Sequence, residues 1–194
     1  MPGSVRPVTD ERDALLAYLA QQRHVLTLTS YGLNEEQARA VPSASELSVG
    51  GLIKHVDHVE RYWIDTVLQR QTPRDPEADW TENFRLGPDE TLAGTVARYE
   101  QAAVETETVL AGLADLGQPV PVPRDAPWWP ADVEAWSVRW VLLHLIAETA
   151  RHAGHADIVR QCIDGATAFP LMAAAEQWPA SPWMTPWTPE VERV

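Results

Sequence analysis

The sequence predicts an all-α protein, a four-helix bundle followed by a non-helical, Pro/Trp-rich C-terminal tail. The 194 residues include 16 prolines. These leave four proline-free windows, each of about 30 residues or more, where long helices can form. Apolar residues recur at helical spacing in every window, and neither hairpin turns nor alternating β-branched residues indicate strands. Amphipathic helices joined by non-helical loops are typical of a bundle.

The first helix is predicted over residues 9–30. Thr9 or Asp10 can cap its start, because a short polar side chain there accepts a hydrogen bond from a backbone N–H that has no partner in the helix. An apolar stripe follows at helical spacing, formed by Leu15, Leu16, Leu19, Val25 and Leu26. Gly32 ends this helix, and Asn34 opens a short capped turn.

The next two helices also begin at capping residues. Ser48 is the expected N-cap of the second helix, which runs until Pro73 and Pro76 stop it. Asp89 is expected to cap a third helix, with Gly117 as its C-cap. The proline-rich stretch that follows cannot be regular helix.

The fourth helix is predicted to begin at Ser137 and to end at Gly165. The four helices define a bundle domain over residues 1–165. Residues 178–189 read WPASPWMTPWTP, so residues 166–194 are expected to form an extended tail. The tail is predicted to pack on the bundle or on a partner subunit, with a lid over a pocket as the alternative. An exposed Trp-rich segment also makes a homodimer plausible.

Composition excludes several classes of function. The chain has 15 basic and 28 acidic residues, a net charge of −13, so nucleic acid is not an expected partner. Cys162 is the only cysteine, which rules out an intrachain disulfide and predicts packing rather than nucleophilic chemistry. The polar start has no apolar signal region, and no apolar run is long enough to span a membrane. The sequence therefore predicts a cytoplasmic protein.

A polar stripe interrupts the apolar seam of the fourth helix. His144, Glu148, His152 and His155 fall within an arc of about 80° at 100° per residue. Apolar residues flank the stripe on both ends, which favours a seam that faces the bundle interior. A buried, unpaired carboxylate costs several kcal/mol or takes up a proton, so Glu148 needs partners.

Three explanations fit this stripe. It could face solvent, it could form a purely structural Glu–His network, or it could bind a metal. Glu148 and His152 are four residues apart, a spacing at which two side chains can share one ion. A third ligand must come from another helix, and His55 is the best candidate because it lies beside an apolar stripe. His58 is rotated about 60° from it and is predicted to be a surface residue.

The ligand types restrict the metal. Two imidazoles and one carboxylate suit zinc, and also nickel, cobalt or iron(II). Three protein ligands leave one position open, as in catalytic zinc sites. A di-iron bundle needs two Glu-x-x-His motifs, whereas this chain has a single Glu-x-x-x-His pair in its fourth helix.

Two blocks of the sequence resemble the DinB-like (YfiT-like) family of bundle proteins. LSVGGLIKH at residues 47–55, followed by VER at 59–61 and Trp63, is similar to the second helix of that family. WSVRWVLLHLIAETARHAGHADIVRQCIDG at residues 136–165 is similar to its last helix. Within the family the resemblance is to the branch of mycothiol-dependent maleylpyruvate isomerase and related thiol transferases.

The resemblance implies one divalent metal, usually zinc, held by three side chains that match His55, Glu148 and His152. A glutamate at the middle position implies the mycothiol-type branch. His144 is the fallback ligand, and His155 is implied to support the ligands or to face the substrate.

The resemblance also implies a chemistry. A small thiol such as mycothiol, bacillithiol or glutathione would bind the metal as thiolate and attack an electrophilic small molecule. Arg139 and Arg151 lie near the stripe and are candidates for a substrate carboxylate, although helix salt bridges are the alternative. Two other functions stay open: a non-catalytic metal-binding stress or accessory protein, and a metal-dependent hydrolase. A fourth protein ligand would favour the non-catalytic role.

Overall fold

The computed structural model describes residues 3–70, 80–124 and 129–189. The helices of this part are α1 (Glu11–Leu28), α2 (Glu35–Arg39), α3 (Val49–Val67), α4 (Leu92–Gly112), α5 (Val138–Asp164) and α6 (Ala168–Ala175). A 3-10 turn, Trp80–Phe84, and two short strands, β1 (Pro119–Pro121) and β2 (Ala135–Ser137), complete it. The predicted all-α bundle is confirmed. None of the helices in the described part is long and apolar enough to cross a membrane.

Local signals set most helix ends where the sequence predicts them. Asp10, Ser48 and Ser137 cap α1, α3 and α5, and each accepts a hydrogen bond from the backbone N–H three residues later. Asn34 starts α2 with a full capping box. Gly165 ends α5 in the left-handed conformation, with φ of 72°, which glycine adopts without strain.

The third predicted helix is shifted at both ends. Thr91, not Asp89, caps α4, and the helix ends at Gly112 rather than near Gly117. The carboxylate of Asp115 accepts the N–H of Gly117 at 2.7 Å, so a side-chain turn replaces the last helical turn there.

The strands are the element that the sequence analysis missed. β1 and β2 pair antiparallel, with Val120 opposite Trp136. Strands of three residues are too short to show a period of two, and the prolines of β1 fit an edge strand. Pro73 and Pro76, predicted to stop the second helix, lie outside the described residues.

The connectivity is not simple up-and-down. Arg139 near the start of α5 pairs with Glu11 at the start of α1, at 2.9 Å. Arg160 near the end of α5 donates to the carbonyls of Thr29 and Tyr31, just past the end of α1, both at 2.7 Å. Helices α1 and α5 are therefore parallel neighbours.

Helices α3 and α4 are parallel as well. Arg98 of α4 donates to the buried carboxylate of Asp57 at 2.8 Å, and one to two turns further on Arg61 lies 3.6 Å from Glu105. Two consecutive parallel helices need a crossover from the end of the first to the start of the second, and residues 68–70 and 80–91 are its described parts. The 3-10 turn belongs to this crossover and packs on α3.

The C-terminal segment is only partly extended. Helix α6 lies inside the range predicted as a non-helical tail, and its buried Leu171 and Met172 pack in a small core with Leu28. Between residues 178 and 189 no helix forms, as expected. Trp187 lies over the guanidinium of Arg160, 4.8 Å from ring centroid to Cζ. The tail thus packs where α1 and α5 end.

Candidate metal centre

Three of the predicted ligands come together between α3 and α5. Nε2 of His55 lies 3.7 Å, and Nε2 of His152 3.2 Å, from Oε1 of Glu148. One ligand atom from each residue lies within 4.8 Å of the others. With zinc–ligand bonds of about 2.0–2.2 Å, neighbouring tetrahedral ligands are about 3.3–3.6 Å apart. These residues therefore fit one divalent ion with little movement.

The bundle geometry explains why these side chains meet. Glu148 and His152 are one turn apart on the same face of α5, and the antiparallel α3 brings His55 against them. The side chain of Glu148 is 27% exposed, that of His152 9% and that of His55 16%. The cluster lies below the surface but stays accessible on the side of Glu148.

The cluster consists of one carboxylate and two imidazoles, with no lysine or arginine among its members. Hydrogen bonds with His152 and His55 hold the pKa of the Glu148 carboxyl well below its usual range, so it is charged. Burial lowers the pKa of His55, which keeps this imidazole neutral near pH 7. Across the described residues, neither Lys nor Arg forms an ion pair with Glu148. A carboxylate beside imidazoles is a donor set that suits a divalent cation.

Neighbours hold both imidazole rings in place. Nδ1 of His155 lies 3.4 Å from Nδ1 of His152, the nitrogen on the far side from Glu148. The ring of Phe84 in the 3-10 turn stacks on His55, with centroids 3.8 Å apart. Gly51 makes this stacking possible, since a Cβ there would lie 1.8 Å from the carbonyl oxygen of Phe84.

The remaining helix histidines lie outside the cluster. His144, the fallback ligand, stacks on Trp140 with centroids 5.1 Å apart and meets the edge of Trp63 at 5.0 Å. Burial lowers the pKa of His144. His58, expected at the surface, is half-buried, and its Nδ1 has no hydrogen-bond partner in the described part of the chain.

The candidate arginines are not gathered at the cluster. Arg139 pairs with Glu11, and at nine residues before Glu148 it lies on the opposite side of α5. Arg151 is exposed. Cys162 is exposed too, so the expectation that it packs in the core is wrong. It lies on an outer face of α5.

Glu60 of α3, like Asp57, is a fully buried carboxylate that was not predicted as part of a site. Glu60 is 1% exposed, and its oxygens accept hydrogen bonds from Arg23 and Thr106. The signal was the same as for Glu148, a glutamate inside an apolar stripe, here the stripe of α3. The partners could not be found from sequence, because they lie on α1 and α4.

Comparisons with known proteins agree with this architecture. A family model described as mycothiol-S-transferase matches residues 14–165. No curated protein matches the chain. A solved structure of a conserved protein from Enterococcus faecalis is similar, with a TM-score of 0.63 and 13% identity, covering 82% of this chain and 100% of that one. At that identity the likeness concerns the fold alone.

Proposed function

Because the chain belongs to the mycothiol-S-transferase family, we propose that it is a metal-dependent enzyme that transfers a small thiol, such as mycothiol, to an electrophilic small molecule. The observation that carries the proposal is the donor set of His55, Glu148 and His152. These groups converge below the surface without a protein cation to neutralise the carboxylate.

The same three residues would hold the metal. Zinc suits two imidazoles and one carboxylate, and nickel, cobalt or iron(II) share this preference. When bound, such an ion lowers the pKa of a thiol that joins it, and so supplies a thiolate at neutral pH. The described residues offer three ligands, which leaves a position for a ligand from solution.

The surrounding residues prepare the site. His155 contacts Nδ1 of His152 and so turns Nε2 of that ring toward Glu148. Phe84 covers one face of His55 and keeps water from it. Glu148 contributes one negative charge and the imidazoles none, which leaves a divalent centre positive and favours a thiolate over a neutral thiol.

The reaction itself is a substitution at an electrophilic carbon. The thiol gives up its proton to water or buffer, and its sulfur forms the new bond to carbon. The leaving group departs with the electron pair of the bond that breaks. The protein holds both reactants together, which supplies proximity rather than a nucleophile of its own.

Two measurements test the proposal on the purified, untagged protein. Elemental mass spectrometry should find about one divalent ion per chain, as expected for a single site with three protein ligands. Incubation with mycothiol and an electrophile should then yield the thioether, with turnover that depends on the thiol. Absence of metal, even after zinc is added, would contradict the proposal. Turnover without thiol would indicate a hydrolase, and bound metal without turnover an accessory protein.

The homodimer and the cytoplasmic location stay predictions. Trp183 in the tail is 74% exposed, an unusual environment for a large apolar ring. Light scattering coupled to size-exclusion chromatography measures the mass in solution and so decides between one and two chains.

A further inference from the structure

A stack of aromatic rings follows one face of α5. Trp136 and Trp140 are parallel within 4°, with centroids 4.1 Å apart, and Trp140 and His144 are parallel within 6° at 5.1 Å. Trp63 of α3 contacts all three rings edge-on at 5.0 to 5.5 Å. Trp129 contacts both Trp63 and Trp136. We call these five residues the aromatic wall.

The wall continues directly into the candidate metal centre. Members of the stack are four residues apart, and the next two positions in the same series are Glu148 and His152. On α3 the order runs the other way, from Trp63 at the wall to His55 at the cluster, two turns earlier. A molecule held at the cluster and extending toward the start of α5 would therefore lie along the wall.

The wall packs against the apolar core but stays partly exposed. Trp63 behind it is 2% exposed and fills the core, whereas Trp129, Trp136, Trp140 and His144 are only half-buried. His144 has no hydrogen bond from its ring nitrogens within the described part of the chain. A neutral imidazole offers one donor and one acceptor to a ligand. Apolar walls with a few polar groups are typical of small-molecule sites.

We propose that the aromatic wall binds the electrophilic substrate and selects one with a flat, conjugated ring, while His144 forms a hydrogen bond with a polar atom on that ring. This inference rests on the proposed function, since it assigns the second reactant of the same site. Flat rings bind aromatic side chains by offset stacking or edge-to-face contact. Trp136 and His144 already cover the two faces of Trp140, so a bound ring would lie against the exposed edges of the stack.

The sugar part of a thiol such as mycothiol is the rival occupant. A polyol that leaves water must replace many hydrogen bonds, because each buried hydroxyl without a partner is costly. The wall offers few polar groups, His144 and the indole N–H groups of Trp136 and Trp140. Its chemistry therefore fits the flat electrophile better than the sugar.

Binding to the metal-loaded full chain tests the inference without any reaction. The probe is 2,4-dinitrotoluene, a flat ring without a leaving group, and the thiol is omitted. Calorimetry should show that Trp140→Leu weakens binding by about 10-fold, since it removes the middle ring of the stack but keeps an apolar side chain. Trp183→Leu, in the tail, is the matched control and should bind like the parent. Metal content of Trp140→Leu should equal that of the parent.

Kinetics with mycothiol and 1-chloro-2,4-dinitrobenzene separate the two reactants. Trp140→Leu should raise the KM for the dinitrobenzene about 10-fold and leave the KM for the thiol unchanged. Equal binding and equal KM in parent and variant would overturn the inference while the transferase function stands. A raised KM for the thiol alone would overturn it in favour of the sugar.

A second variant guards against misfolding. If Trp140→Leu does not fold, His144→Leu tests the same claim, since it removes the last ring of the stack and its hydrogen bond, with the same expected loss of probe affinity. If the protein binds the probe through the wall but does not transfer the thiol, the binding site is supported and only the proposed function is contradicted.

Discussion

Two glutamates on the inner faces of the bundle differ in their exposure and in the source of the opposite charge. Glu60 on α3 is 1% exposed, and the guanidinium of Arg23 donates to it from α1, with Thr106 as a further donor from α4. Glu148 on α5 is 27% exposed, and among the described residues only the imidazoles of His55 and His152 lie within ion-pair distance of it.

The difference separates a structural site from a functional one. Arg23 neutralises Glu60 within the fold, so the charge of this closed network is balanced without an ion from solution. At Glu148 the fold supplies metal-binding atoms but, among the described residues, no positively charged side chain. A cation from solution must therefore balance the charge. The same residue type inside an apolar stripe thus stabilises the bundle in one place and prepares chemistry in the other.

The largest expected effect is the loss of metal from the open cluster. Glu148→Ala and His152→Ala should each lower metal affinity more than about 100-fold, because even the loss of an outer partner costs about 10–100-fold. Elemental mass spectrometry after dialysis measures this, and circular dichroism should show unchanged helicity. His58→Ala, which changes a histidine outside the cluster, should keep its metal. Full metal retention in both cluster variants would contradict the ligand assignment.

Breaking the closed network should destabilise the fold and leave metal binding alone. Glu60→Leu leaves the buried guanidinium of Arg23 without its carboxylate partner, which should cost about 3–5 kcal/mol of unfolding free energy. Adding Arg23→Met should recover most of that loss, since neither position of the pair then carries a charge. Urea unfolding of the two variants and the parent measures the difference. A double variant as unstable as the single one would show that the pair does more than balance charge.

The open cluster also depends on the close approach of the crossover to α3. Gly51→Ala should cost about 1–3 kcal/mol, because its Cβ would meet the carbonyl of Phe84 and push that ring away from His55. Gly154→Ala on α5 is the control, since its Cβ meets nothing within 4 Å, and it should be neutral or stabilising. Thermal unfolding and zinc affinity report on both. A harmless Gly51→Ala would contradict this role of the crossover.

A third carboxylate, that of Glu90 at the surface, is expected to show the smallest effect. Burial raises the pKa of Glu90, but hydrogen bonds from Lys54 and from the N–H of Gly87 outweigh it and lower that pKa to about 2. The stabilisation is therefore present above the usual pKa near 4.5 and is lost as the pH falls toward 2. Because the pair is partly exposed, it should contribute less than about 1 kcal/mol.

Glu90→Gln measures that contribution. The unfolding free energy of the variant should fall below that of the parent at pH 7, and the gap should narrow as the pH falls below about 4.5 and close as it approaches 2. A gap that does not change with pH would show that charge on Glu90 does not stabilise the fold.

Much of the fold followed from local signals. Ser48, Ser137 and Asn34 could be recognised as caps because a cap acts on backbone groups within a few residues. The shift of α4 to Thr91 and the three-residue strands could not be foreseen, since they depend on contacts between distant segments and have no period.

The candidate centre was partly predictable for a related reason. Glu148 and His152 are neighbours on one helix, so their spacing alone places them together. Arg23, Thr106 and Phe84 reach their partners from other elements, and no pattern in the sequence marks them.

The sequence by itself determined where α1, α2, α3 and α5 begin and which polar residues of a helix share a face, because both follow from caps and the helical period. The tertiary structure alone decided which buried carboxylate receives an arginine and which is left with imidazoles. That choice depends on which helices are neighbours, and the crossover between α3 and α4 sets those neighbours through packing across the whole bundle.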